Sequence, residues 1–135
     1  MDLMENEFLI FEEAKTYYGK PNLEERTFLF AKSIRELIKN LPKSIANNED
    51  GKQLIRSSGS VGANYIEANE SISRKDLAFR IKICKKEAKE SVYWLKLLDT
   101  EGKNDLEISV EKKIKEANEL VLIFMAILKK VEITE

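Results

Sequence analysis

The sequence contains no histidine and only one cysteine, two prolines and five glycines in 135 residues. Without histidine, the chain lacks the usual general base of catalysis and the Glu-x-x-His pairs with which helical bundles hold iron. A single cysteine cannot form an internal disulfide, which fits a reducing compartment. The sequence therefore predicts a protein that is not an enzyme and that holds no metal or other cofactor.

Long apolar runs are also missing. The longest run spans residues 120–128. That is far short of the roughly 18–20 residues that are needed to cross a bilayer. The stretch 1–15 is acidic, whereas a secretion signal begins with basic residues. We therefore expect a cytoplasmic protein that does not associate with membranes.

Charge is balanced overall but unevenly distributed along the chain. The net charge is −1, so the whole molecule is not a basic polyanion binder. Residues 52–96, however, hold ten basic and five acidic residues, whereas residues 1–31 carry a net charge of −4 and residues 97–135 one of −3. A basic middle between acidic ends predicts polarised surfaces.

Three segments repeat apolar residues at spacings of three and four, which is typical of amphipathic helices that pack nearly parallel. The first is predicted to begin at the cap Asn22 and to end before Pro42. Another has Ser73 as its cap, and Gly102 is predicted just beyond its C-terminal end. The last is predicted to begin at Asn104.

The stretch IRSSGSVGANYIEANES, residues 55–71, holds two glycines and four serines. As a phosphate loop it lacks the lysine and the following Ser or Thr, and as a linker it would be unusually long for a compact domain. Its apolar residues keep the three-and-four rhythm of a helix, which we predict over residues 48–70 with Asn47 or Asn48 as the cap.

The glycines inside this predicted helix each cost about 1 kcal/mol relative to alanine, so a compensating contact is expected. Gly59, Gly62 and Ala63 make the helix narrow, and another backbone or a large side chain can then lie against it. Trp94 and Tyr93 on the third main helix are the bulky neighbours that the sequence offers.

Together these patterns predict an all-α protein, an up-down-up-down antiparallel four-helix bundle over residues 22–132. Residues 1–21 form an N-terminal extension with a weak amphipathic pattern at Met4, Phe8, Phe11, Ala14 and Tyr18. Gly19 and Pro21 end this pattern. It fits either a short helix laid over the same bundle or an arm docked on a neighbouring subunit.

Two segments, LIRSSGSVGANYIEANE at 54–70 and RIKICKKEAKESVYWLKLL at 80–98, resemble a family of small four-helix-bundle proteins. A weaker resemblance lies in RTFLFAKSIRELIKNLPK at 26–43. The resemblance as a whole covers about residues 22–132. Some members are encoded in intervening sequences of bacterial large-subunit ribosomal RNA genes. Another relative is the accessory variability determinant protein of diversity-generating retroelements.

The resemblance implies a ring-like homopentamer, and most members have no known biochemical activity. The retroelement relative looks like a nucleic-acid-binding partner of a reverse transcriptase and is basic overall, unlike this chain. The implied partners are therefore further copies of the chain, and DNA or RNA together with a protein such as a reverse transcriptase.

A row of cations on the third main helix is the candidate nucleic-acid site. Lysines at helical spacing can follow a phosphate backbone, and a tyrosine among them can stack on a base. The alternative is a solvated helix face that only keeps the protein soluble. The candidate residues are Arg74, Lys75, Lys82, Lys85, Lys86, Lys89, Tyr93 and Lys96.

The last helix is apolar on all sides over residues 120–128, more than one bundle core requires. The excess face is predicted either to meet another subunit or to be covered by residues 1–18. The candidate interface residues are Leu120, Leu122, Ile123, Met125 and Ile127. The predicted function is a non-enzymatic homo-oligomeric scaffold that acts as a nucleic-acid-binding adaptor, and the alternative is a scaffold for proteins alone.

Glu67, Glu87 and Glu90 are carboxylates that a bundle could turn toward a metal. Because no histidine accompanies them, we predict instead that Glu87 and Glu90 pair with Arg56 or Arg80. The single cysteine, at position 84, lies in the middle of an apolar stripe, where a free thiol behaves as a small hydrophobic side chain.

Overall fold

The structure, a computed structural model, describes residues 22–133, which form four helices and no β-strand. The helices are α1 (Leu23–Asn40), α2 (Ile45–Asn69), α3 (Arg74–Leu97) and α4 (Asn104–Ile133). None of these four helices is long and apolar enough to span a bilayer. The predicted extension over residues 1–21 lies outside the described residues.

Each helix packs on the next one in the chain, and α1 also packs on α4, which closes the bundle. The connections at residues 41–44, 70–73 and 98–103 are short, so consecutive helices run antiparallel. Between α1 and α4, Arg26 donates two hydrogen bonds of 2.8 Å to the Glu116 carboxylate. The predicted all-α, up-down-up-down four-helix bundle is confirmed.

Two of the predicted helix starts are confirmed by their caps. The Asn22 side chain accepts a hydrogen bond of 2.9 Å from the backbone N–H of Glu25. The Ser73 hydroxyl accepts one of 3.0 Å from the backbone N–H of Asp76. Each bond satisfies an N–H group that has no partner within the helix.

The predicted start of α2 is wrong by three residues, because Ser44 is the cap and accepts a hydrogen bond from the Asn47 N–H. The buried Asn47 side chain instead joins two loops. Its amide donates to the carbonyl oxygens of Pro42 and Asp99, at 2.8 and 2.9 Å, and accepts from the Asp99 N–H. The spacing of residues around Asn47 in the sequence gives no indication of this tertiary role.

The predicted position of Gly102 directly after α3 is also wrong. The helix ends at Leu97, and Leu98 then takes an extended conformation in which its side chain is buried. Gly102, with φ of +71°, lies nearer to α4, beside Glu101 with φ of +54°. The left-handed glycine therefore turns the chain into α4.

The glycine- and serine-rich stretch is helical through residue 69, which confirms the helix prediction there. On one side, a β-carbon at Gly62 would lie only 3.0 Å from the Thr27 hydroxyl oxygen of α1. On the other side, the buried hydroxyls of Ser57 and Ser91 are 2.9 Å apart and join α2 to α3. The middle of α2 is therefore narrow because helices approach it from two directions.

The predicted contact of Trp94 with the glycines is wrong. Among the described residues, the atoms nearest to Gly62 belong to Thr27, and the nearest to Gly59 is the Arg35 guanidinium. The Trp94 indole instead donates a hydrogen bond of 3.2 Å to Glu90 one turn earlier. Because the glycines face α1, a residue of α3 lies on the wrong side of α2 to cover them.

Gly59→Ala and Gly62→Ala are expected to change stability in opposite directions. Among the described residues, the new methyl group at Gly59 meets only the flexible end of Arg35, at 3.3 Å, so the helix gains about 0.5–1 kcal/mol. At Gly62 it meets Thr27, which is fully buried and donates a hydrogen bond to the Leu23 carbonyl. Overpacking strain then outweighs the gain, for a net loss of roughly 1 kcal/mol.

Urea denaturation of the two variants measures both changes against the unsubstituted protein. The two substitutions are identical in chemistry and lie one turn apart on the same helix, so each serves as the control for the other. Equal stabilisation by both would contradict a close approach of α1 and α2 at Gly62.

Candidate nucleic-acid interface

One edge of α3 carries a row of lysines at seven-residue spacing. Lys75, Lys82, Lys89 and Lys96 recur at this interval, and Lys85 lies between two of them. We call these five residues the lysine strip. Because two helical turns take about seven residues, the strip follows one side of α3 over about 32 Å. Its members are exposed except for Lys85, which is half-buried.

The strip lies toward α4, since the Lys82 ammonium is 4.0 Å from the carboxylate of Glu132 on that helix. Among the described residues, this is the strip's one ion pair within that distance. None of the other four ammonium groups lies within 4.0 Å of a carboxylate of the described residues.

The acidic residues in the middle of α3 lie on its other edge, toward α2. Glu87 is only 5% exposed, and its carboxylate is 3.2 Å from the Arg56 guanidinium of α2. Arg56 also binds Glu90. Of the two predicted partners, Arg56 or Arg80, the structure shows Arg56 with both carboxylates, whereas Arg80 donates to the Asn64 side chain at 3.4 Å. Charges of opposite sign are thus separated across α3.

Tyr93 is exposed, and its ring meets the Trp94 ring edge to face, with centroids 5.0 Å apart. Trp94 is in turn held by its hydrogen bond to Glu90. This support orients the tyrosine, which is a requirement for stacking on a base at low entropic cost.

The two remaining cation candidates differ from most of the strip in that each already has a partner. Arg74 is half-buried at the start of α3 and has a partner. Lys86 is exposed but lies 3.8 Å from Glu87, so a carboxylate already faces it. Arg80, which the prediction did not include in the site, leans toward α2 through Asn64.

The family model of the 23S rRNA-intervening sequence protein matches residues 22–126 of the chain. The chain belongs to this family. The matched region begins at the cap of α1 and ends within α4, so it covers nearly the whole bundle.

A solved structure supports the same placement. It is the 1.70 Å crystal structure of a protein of unknown function from the S23 ribosomal protein family of Bacteroides thetaiotaomicron VPI-5482. The two chains are 28% identical with a TM-score of 0.66, and the match covers 78% of this chain and 97% of that one. Comparison with curated proteins found no match.

The interface candidates of this family member divide into two groups. Leu120, Ile123 and Ile127 are fully buried in the protomer's own core, so they are not surface residues as the prediction required. Leu122 and Met125 are 58% and 49% exposed. Helix α4 packs against both α1 and α3, and this wide contact uses more apolar residues than a single stripe supplies.

A groove between α1 and α2 was missed by the sequence reasoning. It is open, has a volume of about 610 Å³, and is bordered by Phe28 and Ile66, which are 61% and 49% exposed. Ala63 is exposed and lines this groove, so none of the four described helices covers it. Apolar residues on the polar faces of amphipathic helices, here Phe28 and Ile66, were the sequence signal from which this groove could have been predicted. The groove lining comprises Asn22, Glu24, Glu25, Thr27, Phe28, Ala31, Gly59, Gly62, Ala63 and Ile66.

The single thiol lies in the core, as its apolar stripe predicted. Cys84 is fully buried, and burial raises the pKa of its thiol to about 12. Glu67 is exposed, and within residues 22–133 no three side chains of the metal-binding types come together. Cys84 is therefore a packing residue and a poor nucleophile, because reaction requires the thiolate.

Cys84 in the native protein is expected to react with an aromatic disulfide reagent at least about a hundredfold more slowly than in denatured protein at about pH 8. The expected reason is that the native thiol is both inaccessible and protonated. The absorbance of the released thiolate measures both rates. Similar native and denatured rates would contradict the buried position.

Burial of this thiol also makes stability depend on pH. The unfolded thiol ionises near its ordinary pKa of 9.0, whereas the native one stays protonated until about 12. The stabilisation from the neutral buried thiol is therefore complete below pH 9.0 and is lost as the pH rises toward 12. Cys84→Ala is expected to remove this contribution from urea-denaturation curves collected across that range.

Proposed function

We propose that this member of the 23S rRNA-intervening sequence family is a non-enzymatic, homo-oligomeric scaffold that binds the phosphate backbone of DNA or RNA along the lysine strip. The separation of charge on α3 carries the proposal. Arg56 engages Glu87 and Glu90 on one edge, and the lysines occupy the opposite edge.

Lysine is suited to this contact because its ammonium acts as a point charge without directional preference. Five such groups over about 32 Å match an extended polyanion better than a compact anionic ligand. Contacts to phosphate carry no sequence information, so binding along the strip is expected to be independent of base sequence. Tyr93 would add base stacking on single strands.

Assembly would strengthen this binding. A closed ring repeats the lysine strip once in each subunit, and linked sites bind one long polyanion more tightly than separate sites do. Leu122 and Met125 support assembly, since both are large apolar side chains left about half exposed on α4.

Replacing two central strip residues, Lys85→Gln and Lys89→Gln, is expected to weaken nucleic-acid binding roughly tenfold or more at about 0.1 M salt. The slope of log K against log salt should fall by about 1.8 for duplex DNA in each engaged protomer, because two fewer phosphates are neutralised. Fluorescence anisotropy of labelled duplexes and single strands at several salt concentrations measures both effects.

The matched control is Lys39→Gln with Lys52→Gln. It removes the same number of charges from exposed lysines on α1 and α2, each of which already pairs with a glutamate of its own helix. The control should bind like the unsubstituted protein. Equal losses in the two double variants, or no binding at low salt to either probe, would disprove the proposed use of the strip.

A scaffold that binds proteins alone is the second candidate, and the exposed pair Leu122 and Met125 favours it.

For either candidate, Leu122→Glu with Met125→Glu is expected to dissociate the oligomer, because both carboxylates would lose hydration at an apolar interface. Light scattering at micromolar concentration should then report the monomer mass of about 15.6 kDa. Far-UV circular dichroism checks that the helices persist.

Assembly would be contradicted if the unsubstituted protein already had the monomer mass. A variant with an unchanged oligomeric mass would exclude Leu122 and Met125 from the interface. Comparison of the light-scattering mass with and without nucleic acid distinguishes the two candidates, since only the adaptor gains mass.

A further inference from the structure

The groove between α1 and α2 begins where residues 1–21 join the described chain. Asn22 lines one end, and the groove continues past Ala31 toward Gly59. Its apolar borders, Phe28 and Ile66, are 61% and 49% exposed although they flank a concave surface. Apolar side chains around a cleft of this kind mark a binding site for another apolar surface.

The groove exists because side chains are missing from its floor. Gly59, Gly62, Ala63 and Ala31 provide at most one methyl group each. Such a floor lets an incoming helix approach α1 and α2 closely, with its own larger side chains filling the space.

The preceding segment of this chain has matching apolar residues. Met4, Phe8, Phe11 and Ala14, with Tyr18 after them, are spaced by three and four residues and would share one face of a helix. Eighteen helical residues would extend about 27 Å, enough to follow the whole groove, whose lining on α1 runs from Asn22 to Ala31 over about 14 Å. Gly19 and Pro21 follow the segment and permit the chain to reverse direction.

Charges match along the same path. Glu24 and Glu25 line the groove near the junction, where Lys15 and Lys20 of the segment would lie. Farther along, Arg35 reaches over Gly59, and Lys32 lies 5.8 Å from the centre of the Phe28 ring. A segment that folds back would bring its acidic residues to these cations, namely Glu5, Glu7, Glu12 and Glu13.

We propose that residues 1–18 dock as an amphipathic helix in the α1/α2 groove of the same chain. The apolar face of the segment covers Phe28 and Ile66, and its charged face remains in solvent. The groove thus has a resident occupant, attached directly at its end by residues 19–21. The proposal is independent of the function assigned to the lysine strip.

Disulfide trapping in the full-length chain tests the docking. One variant combines Ala14→Cys with Ala63→Cys, which places the second thiol in the groove. The matched control combines Ala14→Cys with Lys115→Cys on α4. Both target positions are exposed and lie at the same level of the bundle, because Gly62 faces Thr27 and Glu116 binds Arg26. Buried Cys84 does not compete in the native protein.

The intrachain disulfide is expected to form at least about tenfold faster with position 63 than with position 115, because docking raises the effective concentration of the paired thiols. The rate should not depend on protein concentration. Non-reducing electrophoresis and mass spectrometry of tryptic peptides measure both products. Ile66→Asp should slow the first reaction to the control rate, since it places a charge in the contact.

Equal rates at the two target positions would overturn the proposal, because a tethered but undocked segment reaches both. Disulfide-linked dimers that form faster at higher protein concentration would assign the groove to a second copy and would also overturn it. An unchanged rate after Ile66→Asp would exclude the apolar contact on which docking depends.

Discussion

The close approach of α2 to both of its neighbours is the constraint on which the rest of the bundle depends. A β-carbon at Gly62 would lie only 3.0 Å from the Thr27 hydroxyl of α1, and the Ser57 hydroxyl lies 2.9 Å from that of Ser91 on α3. A narrow helix gives up side-chain contacts and, at each glycine, about 1 kcal/mol of helix propensity. Dispersion contacts between closely packed backbones and a buried hydroxyl pair offset that loss.

This packing also sorts the charges of α3. Because α2 lies close, Arg56 reaches both Glu87 and Glu90, and the acidic groups are neutralised inside the contact between the two helices. The lysine strip remains on the other edge, beyond the reach of those carboxylates. The same glycines that admit α1 leave the open groove beside it. One narrow stretch of α2 thus positions both surfaces proposed for binding.

Much of the fold could be read from local patterns. The caps at Asn22 and Ser73 and the helical nature of residues 55–69 follow from spacing and from side-chain chemistry within a few residues. The lysine spacing likewise places the strip on one side of α3. The errors that concern tertiary contacts share one cause, since each involves segments far apart in the chain. Asn47 binds Asp99 across 52 positions, and Trp94 lies on the side of α2 away from the glycines.

By itself, the sequence determined the number of helices in the bundle, their antiparallel order and the charge along each one, because periodicity, caps and short connections act over one or two helical turns. Only the tertiary structure decided which charges are neutralised and which apolar residues remain exposed. Leu120 and Leu122 are two positions apart in one apolar run, yet the first is fully buried and the second is 58% exposed. Burial is a property of the neighbouring helices, and their positions are set by packing across the whole bundle.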